Sequence, residues 1–278
     1  MEPTRRASAV RIAPEATRAP WYRRAPLTWF SRAAWGEILL VGVSLALYGV
    51  ICSTAPANRS DAIRHAWAVI GFEQRAGIAV EPWLNSWLAA HPLWALLANY
   101  FYTTVFAVTT LGTLVLLWWR DRRVYRFHRT VLFIMTAGAA LTYWLYPLAP
   151  PRLVPGSGFV DTVSAFGTWG GAYTSTTAQV ANVYGAMPSM HTGWSLWVAV
   201  CLCAVFTHWW QRTLAWTLPT LTILIIMATG NHYALDAMAG ALYLGVAFLV
   251  WLLVLAVRRA FGHADLPTMF PHRHTVRS

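Results

Sequence analysis

Six stretches of the chain stay apolar for roughly 20 residues, the length a helix needs to cross the hydrocarbon core of a bilayer. They run over 34–54, 92–119, 131–149, 191–211, 213–231 and 233–257. Glu37 is the only charge in the first, Pro219 predicts a kink in the fifth, and Asp236 stands near the start of the sixth. The pattern predicts an all-α integral membrane protein: a bundle of six transmembrane helices over 34–257, with an Arg-rich tail at 1–33 and a second tail at 258–278, both read as mobile. The first apolar stretch is too long for the h-region of a cleaved leader and reads as a signal anchor.

The polar gaps set the direction of the spans. Counted by gap, seventeen of the 21 basic residues fall on one side: before the first span, between the second and third, between the fourth and fifth, and after the sixth. The positive-inside rule makes that side cytoplasmic and puts both termini there. Trp118-Trp119 and Trp209-Trp210 precede inner-side Arg residues, where interfacial anchors belong. The outer side then holds 55–91, 150–190 and a short turn around Gly230–His232. Segment 55–91 mixes Arg59, Asp61, Arg64, Glu73, Arg75 and Glu81 with apolar residues. It suits one or two helices lying on the membrane surface; a packed loop is the equal alternative.

Composition agrees with this topology. The chain of 278 residues is 57% hydrophobic and 11% charged, against about 25% charged in a soluble domain. An ordinary soluble enzyme and a disordered chain are excluded. Every basic residue is Arg, and the net charge is +11. Those Arg residues lie between apolar runs rather than along a basic face, so they write topology and predict no nucleic-acid partner. Cys52, Cys201 and Cys203 form no disulfide framework and read as apolar filler.

Chemistry-bearing residues gather at the outer ends of the spans. Tyr146-Pro-Leu-Ala-Pro-Pro-Arg152 closes the third, Pro188-Ser-Met-His191 opens the fourth, and Asn231-His232-Tyr-Ala-Leu-Asp236 opens the sixth. Two crossings of about 20 residues return the chain to the same face, so Arg152, His191, His232 and Asp236 are expected in one outer pocket. His232 and Asp236 are neighbours on a helix face. An Asp accepting from Nδ1–H fixes the imidazole and frees Nε2 as a nucleophile towards phosphorus. His191 is suited to protonate the leaving oxygen and then to activate water or an alcohol. Arg152 is suited to a bidentate hold on phosphate.

These motifs resemble those of the type 2 phosphatidic acid phosphatase superfamily. Pro-Ser-Met-His191 and His232-x-x-x-Asp236 resemble its second and third signatures, and Tyr146 to Arg152 a Pro-Pro-Arg version of its first. Gly230-Asn-His-Tyr-x-x-Asp236-Ala resembles the branch of inositol phosphorylceramide synthases and their bacterial relatives. The resemblance implies a six-helix bundle, a phosphohistidine on His232, His191 as general acid, Asp236 as orienter, and no metal or other cofactor. Ser189, Asn231 and Tyr233, inside the motifs, join Arg152 as expected substrate contacts. Two positions depart from the pattern. The wider family has a Lys before its first-motif Arg, and this chain has no Lys. The wider family also has Ser-Arg ahead of the third motif, where this chain has Ile225-Ile226. Arg64 or Arg75 is the candidate replacement; the alternative is a less charged site suited to a phosphodiester.

The expected activity is therefore phosphatase or phosphotransferase chemistry on a lipid phosphate or phospholipid head group at the outer leaflet of a cell membrane. Head-group transfer to a lipid alcohol and simple hydrolysis of a polyprenyl or phosphatidyl phosphate both stay open. The expected partners are the bilayer and a phospholipid or isoprenoid phosphate, with the oligomeric state left open. Rival readings are a metal site built from His191, His232 and Asp236, a non-enzymatic transporter or scaffold, and plain helix-capping roles for His191 and Asp236. Asp161 and Tyr184 are read as substrate contacts or as loop structure. His65, His91, His128 and His208 read as interface residues, and His263, His272 and His274 as solvated.

Overall fold

The computed structural model describes residues 31–56, 58–168 and 182–271. The Arg residues before Arg32, Arg273 and Arg277, and His272 and His274 lie outside the described residues. The chain divides into two units, Met1–Val43 and Ser44–Ser278. The described residues are helical, with one isolated β-bridge between Leu148 and Gly185.

Among the described residues nine helices follow one another: α1 (Arg32–Ser53), α2 (Arg59–Ala76), α3 (Glu81–Ala89), α4 (Pro92–Arg120), α5 (Arg122–Leu145), α6 (Thr162–Ala165), α7 (Met190–Val205), α8 (Trp209–Ala228) and α9 (Ala234–Ala260). A 3₁₀ turn covers Pro151–Leu153. Three of the six expected spans, α1, α4 and α9, are long and apolar enough to cross a membrane. Most of each apolar window is uncovered by protein. Leu111, Val115, Leu242, Leu249 and Leu253 stand exposed. Apolar surface on that scale needs an apolar solvent. Helix α7 has only 16 residues.

Helix boundaries differ from the apolar stretches for identifiable reasons. Helix α5 starts nine residues before the expected span, because Asp121 Oδ1 accepts from Arg123 N–H at 2.8 Å and Val124 N–H at 3.2 Å. Its Arg residues continue the helix although they end the hydropathy signal. It stops at Leu145, ahead of Pro147, Pro150 and Pro151. The segment 55–91 forms two helices, α2 and α3.

The second tail is also corrected by the structure, because its first part is docked rather than loose. Asp265 pairs with Arg123 at 3.1 Å and with Arg126 at 3.2 Å. Leu266 is buried, and His128 Nε2 meets the Met269 carbonyl at 3.0 Å. His128 is accordingly a core residue, wholly buried, and not an interface residue.

Helix α7 is central, touching α4, α5, α8 and α9. Trp197 fills its buried face and donates Nε1–H to the His128 carbonyl at 2.9 Å. Helices α7 and α9 cross where both carry glycine, Gly193 and Gly240. An added Cβ on Gly240 would overlap the Ser189 carbonyl oxygen and lie 3.2 Å from the Gly193 nitrogen. Ser189 N–H donates to the Asp236 carbonyl at 3.0 Å, so the starts of the two helices are tied directly.

Candidate active site

Asp236 lies in the first turn of α9, and His232 sits just ahead of the helix, before its N-cap Tyr233. The two are not neighbours on one helix face as expected; the turn into the helix brings them together instead. Helix α8 ends on Gly230 in the left-handed region, φ +69°, and the N–H groups of Asn231 and His232 close back on the Ile226 carbonyl at 3.0 and 3.1 Å. Asn85 of α3, Arg152 and the Val160 carbonyl crowd Gly230, so a side chain there meets neighbours as well as backbone strain. Asp236 is wholly buried, and its Oδ2 accepts from Tyr233 N–H at 3.0 Å. The same oxygen lies 3.3 Å from His232 Nδ1. The nearer partner of Nδ1 is the Ala186 carbonyl, at 2.9 Å. Nδ1–H thus donates to a backbone oxygen with Asp236 beside it, and Nε2 is the nitrogen these contacts leave for a substrate.

Ala186 is held in place by the β-bridge: its N–H donates to the Leu148 carbonyl at 3.2 Å, and Leu148 N–H donates to the Tyr184 carbonyl at 2.7 Å. The bridge joins the end of the first motif to the approach of the second. His65 of α2 stacks on Tyr146 at 4.1 Å between centroids, and its Nδ1 meets the Pro147 carbonyl at 2.8 Å. It therefore clamps the first motif rather than serving as an interface residue.

His191, one residue into α7, packs its ring on Tyr102 and on Phe106, each 4.3 Å between centroids. Its centroid is 5.4 Å from that of His232. Arg152 stands opposite. Its backbone N–H donates to the Gly230 carbonyl at 3.0 Å, its Nε–H to Asn231 Oδ1 at 2.8 Å, and an Nη1–H to Asp161 Oδ2 at 2.9 Å.

Arg152, Asn231, His191 and His232 line one cavity of about 650 Å³. Asp161, Ser164 and Asn182 add to its polar wall, and Tyr48, Tyr102, Phe106 and Trp194 to its aromatic wall. Ser189 and Tyr233 do not line it. Ser189 is wholly buried as the N-cap of α7, its hydroxyl accepting from Thr192 N–H at 3.4 Å. Tyr233 is buried too and donates its hydroxyl to the Ala149 carbonyl at 3.0 Å. Neither Arg64 nor Arg75 reaches the cavity: both are exposed, and Arg64 pairs with Asp61 at 2.7 Å. Tyr184 sits in the apolar cluster beneath α2. Among the described residues, no three His, Cys, Asp or Glu side chains are grouped to hold a metal ion.

A model of the PAP2 superfamily matches residues 67–250, about two thirds of the chain. The chain belongs to the PAP2 superfamily. No curated protein and no solved structure gives a match. Membership makes phosphate-ester hydrolysis the coarse class of activity and a phosphorylated lipid the coarse class of substrate.

Two residues that support this candidate site went unread in the sequence. Glu73 of α2 and Glu81 of α3 are both buried against the start of α9. Glu73 Oε1 accepts from Leu235 N–H at 2.7 Å, and Glu81 Oε1 accepts from Ala234 N–H. With Asp236 on Tyr233 N–H, three carboxyl groups satisfy three successive orphan donors at this helix end. Burial, then the neighbouring Glu81 and Asp236 charges, push the Glu73 carboxyl up to about 8. The signal was present in spacing. Ala62, Ala66, Val69 and Glu73 share one buried face of α2, and Glu81, Asn85 and Leu88 one buried face of α3. A Glu on an apolar stripe marks a buried acceptor.

Proposed function

We propose that this chain is a membrane lipid phosphatase or phosphotransferase working through a phosphohistidine on His232. The observation that carries the reading is the cavity shared by His232, His191 and Arg152, with His232 Nδ1 already engaged by Ala186 and Asp236. His232 Nε2 attacks phosphorus. The P–N bond forms as the P–O bond to the leaving group breaks, and His191 gives its proton to the departing oxygen. Water or a lipid alcohol then attacks phosphorus and passes its proton to His191 while the P–N bond breaks. Arg152 and Asn231 steady the phosphoryl oxygens. The centroid spacing of 5.4 Å lets both imidazoles reach one phosphoryl group.

The aromatic wall accepts the apolar part of a lipid. The Arg distribution supports six crossings, cytoplasmic termini and a site on the outer face. In this reading α5, α7 and α8 join α1, α4 and α9 as spans, and α2 and α3 lie outside. The Pro-Pro-Arg and Gly-Asn-His-Tyr phrases favour transfer to a lipid alcohol over hydrolysis.

Purified protein with radiolabelled lipid phosphates tests this. The wild type should trap acid-labile label on the protein, H232A should trap none and lose turnover, and H191A should trap label but release it slowly. Turnover by H232A at the wild-type rate refutes the reading.

A further inference from the structure

The charge on the cavity wall is nearly cancelled. Arg152 is the only Arg among the described residues lining the cavity, and the chain has no Lys. Asp161, also on that wall, holds Arg152 Nη1 at 2.9 Å. The two side chains are 20% and 21% exposed, so solvent screens the pair only partly. Asp161 is fixed from behind as the N-cap of α6: its Oδ1 accepts from Ser164 N–H at 3.3 Å and its Oδ2 from the Ser164 hydroxyl at 2.9 Å. It therefore cannot swing clear of the phosphate position without uncapping α6 and releasing Arg152.

A phosphomonoester carries close to two negative charges at neutral pH, since its second pKa is about 6. A phosphodiester carries one. A fixed carboxylate beside the site repels each of those charges, so it penalises the monoester twice as heavily in free energy as the diester. We propose that Asp161 is a specificity-determining residue that makes this cavity select a phosphodiester head group over a phosphomonoester. The inference rests on the proposed site of His232, His191 and Arg152. It assigns a purpose to the ion pair that a phosphate-binding Arg would otherwise be better without.

At partly screened separations of several ångströms, one unit charge changes binding by about tenfold per unit of ligand charge. Removing Asp161's charge should then raise kcat/KM on a monoester about tenfold more than on a diester. The test uses full-length protein in mixed micelles that contain a lipid alcohol as acceptor, with phosphatidate as the monoester and phosphatidylinositol as the diester. D161N keeps the shape and the helix cap; D161S is a second uncharged cap; D161E keeps the charge.

The expected result is a wild type that favours phosphatidylinositol, and a monoester-to-diester ratio that rises about tenfold in D161N and D161S. D161E should stay within about threefold of the wild type, and added salt should shrink the difference. A purely structural Asp161 would lower both activities together and leave the ratio fixed. An unchanged ratio in active, folded D161N and D161S overturns the assignment, as does a wild type that prefers phosphatidate. A wild type that turns over neither lipid, or an H232A variant that turns over both, overturns the proposed site and this inference with it.

Discussion

Gly240→Ala adds a single methyl group on α9, 8 residues after His232 in the chain, and is expected to disable the enzyme while leaving it folded. The new Cβ would sit inside 3.0 Å of the Ser189 carbonyl oxygen and 3.2 Å from the Gly193 nitrogen, both of them backbone atoms that no rotamer change moves aside. Helices α7 and α9 must part by about 1 Å to restore ordinary contact. Overpacking of this kind costs about 1–3 kcal/mol of stability. The catalytic cost is larger in proportion. Ser189 N–H is bonded to the Asp236 carbonyl, with His191 two residues beyond Ser189 and His232 four residues before Asp236. Parting the helices therefore moves one histidine against the other, and a 1 Å misplacement of reacting groups costs about 100-fold in rate. The assay compares kcat on a lipid phosphate with the melting midpoint in detergent. Gly245→Ala is the control, since nothing lies within 4 Å of its added Cβ; it should keep full activity and an equal or higher midpoint. G240A with wild-type kcat would refute the link between helix crossing and catalytic geometry.

Asn85→Ala should lower stability by about 2–4 kcal/mol, because the buried amide donates to the Val160 and Ala228 carbonyls and accepts from Val160 N–H, and all three are orphaned together; thermal unfolding reads it. Glu73 gives a signed pH dependence. Its folded value of about 8 exceeds the ordinary 4.5, so the stability it lends is complete below 4.5 and is lost as pH rises through 8. The melting free energy of the wild type should fall relative to E73Q across that window, by up to ~1.4 kcal/mol per pH unit; parallel curves would sink the claim. Asp265→Ala should cost less than about 1 kcal/mol, because its two Arg pairs are exposed. Deleting 264–271, which uncovers His128 and removes buried Leu266, should lower the melting midpoint clearly more while leaving kcat unchanged.

Much of the candidate site was legible because its residue types recur at short spacings and at the ends of apolar stretches. Helix periodicity paired His232 with Asp236, yet His232 precedes the helix and meets Asp236 through the turn that starts it. The spacing of two apolar stretches anticipated the cavity that His191 and His232 share. Partners contributed by backbone leave no such trace. The Ala186 carbonyl, closer to His232 than Asp236 is, could stand behind any side chain. Ser189 and Tyr233 looked like substrate contacts because they sit inside motifs; their hydroxyls instead serve the helix cap and the Ala149 carbonyl. The span limits failed for a different reason. Hydropathy stops at a charge, whereas a helix such as α5 continues through Arg residues once Asp121 caps it. The docked tail went unread since its anchors, Asp265 and Leu266, carry no periodic pattern.

The seal of three carboxyl groups on the start of α9 also dictates an order of assembly. Glu73 and Glu81 are synthesised 162 and 153 residues before Leu235 and Ala234, whose N–H groups they accept. Until the last helix emerges, the growing chain carries two acids destined for burial with no donor to meet them. Burying an unpaired carboxyl is costly, so α2 and α3 cannot settle against their final neighbours before then. Arrival of α9 brings the donors, with His232 immediately ahead of them in the chain. Docking of α2 and α3 and placement of His232 are thus coupled, and a chain released before the first turn of α9 lacks both the helix seal and the candidate site.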